Sequence, residues 1–178
     1  MDMQKELSEN NVCLMLISST EYNKNIVEVM SNFSGKKVCY VTLNKTYDSL
    51  KELFKKNKIN LKNVVFVDAI SKTIKSVPAK TKDCYFVHSP GALTDLSLTI
   101  GKLIKQDFEF LIFDSLTNLM IYEKKAPVAK FLSSLVNKIK GTEVKAIFYS
   151  LSMNQHSELI QECSMFVDSV IDMTRTSK

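Results

Sequence analysis

Residues 110–122 read FLIFDSLTNLMIY. Four apolar residues lead into Asp114, and a hydroxyl residue and a leucine-rich stretch follow it. An apolar run of this length closed by one carboxylate describes a strand covered on both faces that reaches solvent at its carboxyl end. Working outward, residues 108–114 (FEFLIFD) are the strongest of a series of such runs. The others are 12–18 (VCLMLIS), 37–43 (KVCYVTL), 63–68 (NVVFVD), 84–88 (CYFVH), 144–151 (VKAIFYSL) and 165–173 (MFVDSVIDM).

Helical spacing fills the gaps. Ile26, Val27, Met30 and Phe33 form one stripe, ended by Gly35; Leu50, Leu53 and Phe54 mark a second over 47–57. Leu93, Leu96, Ile100, Leu103 and Ile104 make a third. A helix at 127–140 carries Val128, Phe131, Leu132, Leu135, Val136 and Ile139 on one face, with Pro127 suited to its first turn. Strand and helix alternate throughout, which predicts an α/β fold: a three-layer α/β/α sandwich with a mostly parallel sheet. The lysine-rich connection SKTIKSVPAKTK (71–82) reads as a surface loop. With no internal repeat and no dividing linker, the organisation is a polar segment 1–10, one domain over 11–173 and a tail 174–178.

The 178 residues suit a single core, and 45% hydrophobic with 24% charged content suits a globular protein. No apolar run reaches the length of a membrane span, and the opening MDMQKELSENN is polar and acidic, unlike a signal peptide. A cytoplasmic location with no membrane partner is the expectation. The net charge of +5 comes from 24 basic and 19 acidic residues, yet Arg175 is the one arginine. Arginine supplies the forked contacts to phosphate and guanine, so its scarcity argues against specific nucleic-acid recognition and against an arginine finger. Cys13, Cys39, Cys84 and Cys163 form no C-x-x-C pair, and His88 and His156 are not spaced to join them as metal ligands. Buried reduced thiols are expected, with no metal site.

In a parallel sheet, ligands bind beyond the carboxyl ends of the strands. Those ends are Ser18–Asn25, Leu43–Tyr47, Asp114–Thr117 and Ser150–Gln155. Residues 14–30, LMLISSTEYNKNIVEVM, form the strand–turn–helix frame of a phosphate-binding loop. On the template G-x-x-x-x-G-K-[ST] they place Ser18 and Asn23 at the glycines, Lys24 at the lysine and Asn25 at the magnesium-binding hydroxyl. Glycine is needed there because backbone amides must converge on phosphate without side-chain bulk. The four glycines, Gly35, Gly91, Gly101 and Gly141, all lie elsewhere, and Glu21 adds negative charge to the loop. Lys24 therefore reads first as a surface lysine on a helical turn. Asp114 alone reads as a polar strand end or helix cap.

Three colinear segments alter that reading. FLIFDSL followed by T-x-L has a Walker B form, YVTLNKTYDSLKELFKKNKI (40–59) follows the second strand, and CSMFVDSVIDM (163–173) closes the chain. Together they resemble the degenerate KaiC/RecA-like ATPase families of archaea, within the P-loop NTPase superfamily, that lack an intact Walker A motif. The likeness spans residues 11–173. It implies a RecA/KaiC-like sheet and a vestigial nucleotide site built from Ser18, Asn23, Lys24, Asn25, Asn44, Lys45, Asp114 and Ser115. It also puts Asn44-Lys45 where the family's water-activating carboxylate ends strand two, and an amide cannot take up that proton. Asp48 falls in the following helix start.

No catalytic residue is assigned, and neither ATP nor Mg²⁺ is expected as a cofactor. The expected function is a pseudo-ATPase: a non-catalytic regulatory or signalling module acting through a protein partner or a homo-oligomer. The alternatives are a weak ATP binder using Lys24 and Asp114, and a small-molecule sensor with a crevice around Tyr22, Asn44 and Tyr47. Asp168 and Asp172 read as solvent-facing neighbours on the last strand. Ser150, Ser152 and His156 lack the strained G-x-S-x-G turn of a nucleophile and read as loop groups.

Overall fold

The computed structural model describes residues 3–152 and 157–175. Its strands are β1 (Val12–Ile17), β2 (Val38–Thr42), β3 (Val64–Asp68), β4 (Cys84–Phe86), β5 (Phe110–Asp114), β6 (Lys145–Leu151) and β7 (Ser169–Asp172). Between them run α1 (Met3–Glu9), α2 (Tyr22–Asn32), α3 (Tyr47–Lys56), α4 (Ser71–Ile74), α5 (Leu93–Leu103), α6 (Leu116–Tyr122), α7 (Lys125–Lys140) and α8 (Ser157–Ser164). All seven strands form one sheet in the order β4-β3-β2-β5-β6-β1-β7, and every neighbouring pair is parallel. The three-layer α/β architecture expected from the sequence is the one found.

Strand parity splits the core in two, because successive side chains point to opposite faces. Val12, Leu14, Cys39, Val41, Leu111, Phe113, Ala146 and Phe148 face α5 and α7. Cys13, Met15, Val38, Tyr40, Ile112, Ile147 and Tyr149 face α2 and α3. The strands are apolar at consecutive positions because helices cover both faces. Asp114 shares parity with Ile112, so it belongs on the α2 and α3 side. That parity decides the site.

Local chemistry sets several element ends. Thr46 caps α3, its hydroxyl accepting from the Ser49 amide, while Asp48 lies in the first turn and pairs with Lys75 at 2.6 Å. Gly35 turns the chain after α2 at φ +84°, a conformation that favours glycine. Pro127 stands in the first turn of α7.

Three expectations are corrected. The segment 1–10 is not merely polar, because α1 buries Leu7 against the α2 face of the sheet. The 71–82 connection contains α4 and ends in an antiparallel bridge, Lys80 to Tyr85, that covers the edge strand β4. The closing strand spans only Ser169–Asp172. Asp168 lies outside it: its Oδ2 accepts the amides of Asn11 and Val12 at 3.0 and 2.9 Å, and Lys140 pairs with it at 2.7 Å. The Asp168 side chain thus adds to the backbone bond that its own amide makes to the Val12 carbonyl at 2.8 Å, at the start of β1. Burial alone would raise the Asp168 pKa, but Lys140 and those amides outweigh it and hold the carboxyl below its ordinary value.

Candidate functional site

β2 and β5 are neighbours whose onward connections leave in opposite directions, β2 toward β3 and β5 toward β6. The crevice beyond their carboxyl ends is where such sheets bind ligands. Thr42 pairs with Asp114 across it. Asp114 is fully buried, and the peptide joining it to Ser115 is cis.

Three tyrosines gather round this carboxylate, one from each direction. Tyr40 of β2 donates its hydroxyl to Oδ2 of Asp114 at 2.7 Å. Tyr22, the first residue of α2, donates to the same oxygen. Tyr149 of β6 lies on the same face, buried and close enough for its charge to feel Asp114. The hydroxyl of Tyr149, Oδ1 of Asp114 and Nδ2 of Asn25 are buried without a hydrogen-bond partner among the described residues. Buried orphans are uncommon and cost roughly 1–3 kcal/mol each.

The electrostatics follow from that arrangement. Burial penalises the charged carboxylate and pushes the Asp114 pKa up to about 6, against the pull of the two tyrosine hydroxyls and of Lys45. Tyr22 and Tyr40 are in turn held well above the ordinary phenol range, first by burial and then by the neighbouring carboxylate. Lys45 lies over the Tyr22 ring with its Nζ 5.8 Å from the ring centre, and the nearby Asn44 side chain pulls the Tyr22 pKa down against the stronger effect of burial.

The remaining residues of the expected site scatter. Ser18 is half-buried and exchanges a hydrogen bond with the Thr20 hydroxyl at 2.8 Å. Asn23 and Lys24 are exposed; Lys24 pairs with Glu21 at 3.0 Å and, with Asn23, Val27 and Leu53, lines a shallow groove between α2 and α3. Its amine therefore faces away from Asp114. Asn25 turns inward, one helical turn beyond Tyr22. Ser115 is buried, its hydroxyl donating to Asn118 at 2.6 Å. Asn44 and Lys45 stand with Tyr22 at the edge of the Asp114 cluster, so the eight residues do not converge on one point.

A second buried carboxylate was not singled out from the sequence. Asp68 ends β3 and accepts four hydrogen bonds: from the amides of Tyr47, Ile70 and Ser71 and from the Ser71 hydroxyl, at 2.6 to 2.8 Å. It ties the loop after β2 to the loop after β3, which is a scaffold role. Tyr47 shares the α2 and α3 face with Asp114 but turns its hydroxyl elsewhere: it donates to Asp83 at 2.7 Å, and Lys51 completes that group. The sensor crevice expected around Tyr22, Asn44 and Tyr47 is thus divided between two clusters. Ser150 is buried and shares a hydrogen bond with Thr117 at 3.1 Å, whereas His156 lies outside the described residues. Asp172 accepts from the Thr174 amide and hydroxyl. Among the described residues no group of histidine, cysteine and carboxylate side chains could hold a metal, and no helix is long and apolar enough to cross a membrane.

The parity of Tyr40 and Tyr149 with Asp114 was the available signal for the tyrosine cluster. It becomes readable once the strand register is known.

A parallel sheet in this order, with its crevice at the β2–β5 switch, defines an α/β fold of the RecA/KaiC-like class. The likeness is borne by a solved structure, a KaiC-like protein of the hyperthermophilic archaeon Pyrococcus horikoshii OT3, with a TM-score of 0.63 over 94% of this chain and 74% of that one. Sequence identity is 11%, so what is shared is the fold. No family model and no curated protein matches the sequence.

Proposed function

We propose that this chain is a non-catalytic RecA/KaiC-like domain that acts by contact with other proteins, as a regulatory or signalling module whose nucleotide site is closed by its own side chains. The observation that carries this reading is the hydroxyl of Tyr22 on Asp114. In a working ATPase of this fold the carboxylate must reach magnesium-bound water. Here Oδ2 is taken by two tyrosines, and Tyr22 comes from the very stretch that would form the phosphate loop. The loop lysine is turned to Glu21 on the surface, and Asn25 offers a buried amide in place of a hydroxyl. These residues do not fit magnesium-bound ATP, so no step of hydrolysis is assigned to them.

Calorimetric titration of the full chain with ATP and Mg²⁺ tests the closed site. The expected result is no saturable heat at ligand concentrations up to about 1 mM, an affinity limit near −4 kcal/mol. Micromolar binding that disappears in Lys24→Ala would replace this reading with that of a weak nucleotide binder. Phosphate release that disappears in Asp114→Asn would make the chain an ATPase.

A further inference from the structure

The outer surface of α5 and α7 carries two adjoining grooves that share Ser97 and Leu98. One is lined by Leu93, Pro127 and Phe131, the other by Ile104, Gly101 and Thr142. Leu98 stands between them 58% exposed, and it is the one large apolar side chain of α5 left so open. A side-chain carbon built on Gly101 would meet nothing within 4 Å, so the floor there is open to an incoming group.

The rim is basic. Lys102 projects from the last turn of α5, Lys105 from the turn that follows it, and Lys130 and Lys138 from α7, and all four are exposed. Lys138 donates to the Ser97 hydroxyl at 2.9 Å, while Lys102, Lys105 and Lys130 meet no carboxylate among the described residues. Neither groove has an acidic side chain in its lining. At the two ends of α7, by contrast, Lys125 pairs with Glu158 and Lys140 with Asp168. Unpaired cations around an apolar furrow ask for a ligand with the opposite charge and its own apolar side chains.

We infer that the α5–α7 groove docks an acidic, amphipathic segment of a protein partner, its apolar side chains seated against Leu98 and Phe131 and its carboxylates against Lys102, Lys105 and Lys130. Complementary charge would steer and register such a segment more than it would add affinity. An anionic membrane suits the surface less well, because Leu98 is the single large apolar side chain of α5 that projects, while Phe131 and Ile104 are buried in the groove floors. A nucleic acid suits it less well because the basic groups are all lysine, without arginine forks. The inference rests on reading the chain as an interaction module, but the two fail separately: the ATP titration tests the crevice at β2 and β5, and the experiment below tests the opposite face of the sheet.

The test is selection from a random 16-residue peptide display library on the immobilised full chain, followed by fluorescence anisotropy with the enriched peptides. The expected peptides carry net negative charge and two or three large apolar residues at helical spacing, and they bind less tightly as salt rises. Two variants should each weaken them about tenfold or more: K102E/K105E/K130E, which reverses the rim, and G101Q, which fills the floor. G101Q also replaces a glycine inside α5 with a better helix former, and a thermal melt that matches the native chain's separates loss of binding from unfolding. No enrichment, enrichment of neutral or basic peptides, or binding indifferent to both variants would each overturn the inference. So would lysine-dependent binding to phosphatidylserine vesicles or to an oligonucleotide without any peptide enrichment.

Discussion

Tyr22 at the start of α2 donates its hydroxyl to Asp114 at the end of β5, closing a contact across 92 residues of sequence. The same Asp114 oxygen also receives Tyr40, and its other oxygen has no partner among the described residues. Two tyrosine hydroxyls, one from β2 and one from the start of α2, therefore hold the same oxygen of the strand-end carboxylate. The consequences can be measured.

The pH dependence of stability should report Asp114 directly. Its folded pKa is about 6 against an ordinary 3.8, raised chiefly by burial. Between those values the folded chain keeps a proton that the unfolded chain has released, so this group's contribution falls as pH rises through the window and levels off above it. A gap of about two units corresponds to about 3 kcal/mol. Asp114→Asn keeps an acceptor for the tyrosines and cannot ionise. In denaturant melts it should be more stable than the native sequence near pH 7.5 and lose that advantage near pH 4.

Substitutions in the loop stretch should separate its two prominent residues. Tyr22→Phe keeps the ring and removes one of two donors from a buried carboxylate, which should cost about 1–3 kcal/mol near pH 7.5. Lys24→Ala removes an exposed ion pair with Glu21 and should change stability by less than about 0.5 kcal/mol. Equal effects of the two would contradict the geometry.

Asp68 should prove more important to folding than its place in the sequence suggests. Asp68→Ala leaves three buried amides and a hydroxyl without their acceptor. Each orphan costs roughly 1–3 kcal/mol before relaxation, so a total loss of about 3 kcal/mol or more is expected in equilibrium unfolding. Faster hydrogen exchange at the Tyr47 amide would locate the damage at the start of α3.

The cysteines should be inert in the folded chain. All four are buried, and burial pushes the thiols of Cys13, Cys39 and Cys163 up to about 12 and raises that of Cys84 as well. Thiolate is the reactive form. A thiol reagent at about pH 8 should label none of them within minutes in native buffer and all four once the chain is unfolded.

The layers of the fold were legible because burial on both faces writes itself into consecutive apolar residues. Each run from VCLMLI to VKAIFYSL became a strand, and the stripe from Val128 to Ile139 became the buried face of α7. The ends were less legible. In MFVDSVIDM the apolar residues suggest strand from the first position, yet β7 begins only at Ser169, and the Asp168 side chain just before it accepts the Asn11 and Val12 amides. Position 7 shows the same limit: a lone leucine in a polar segment gives no periodicity, and only contact with the sheet buries it.

For the candidate site, the sequence by itself determined which residues stand at the strand ends: Asp114 after an apolar run, a glycine-free loop after β1 and an amide after β2. Local hydrophobic pattern and loop composition suffice for that, since both act over a few residues. The tertiary structure alone decided which of these meet. The parallel register brings β2 and β6 to either side of β5, and α2 folds back over them, so Tyr22, Tyr40 and Tyr149 surround Asp114 while Lys24 turns outward. Contacts between residues 22, 40, 114 and 149 depend on strand order, and strand order leaves no mark on neighbouring residues in the chain.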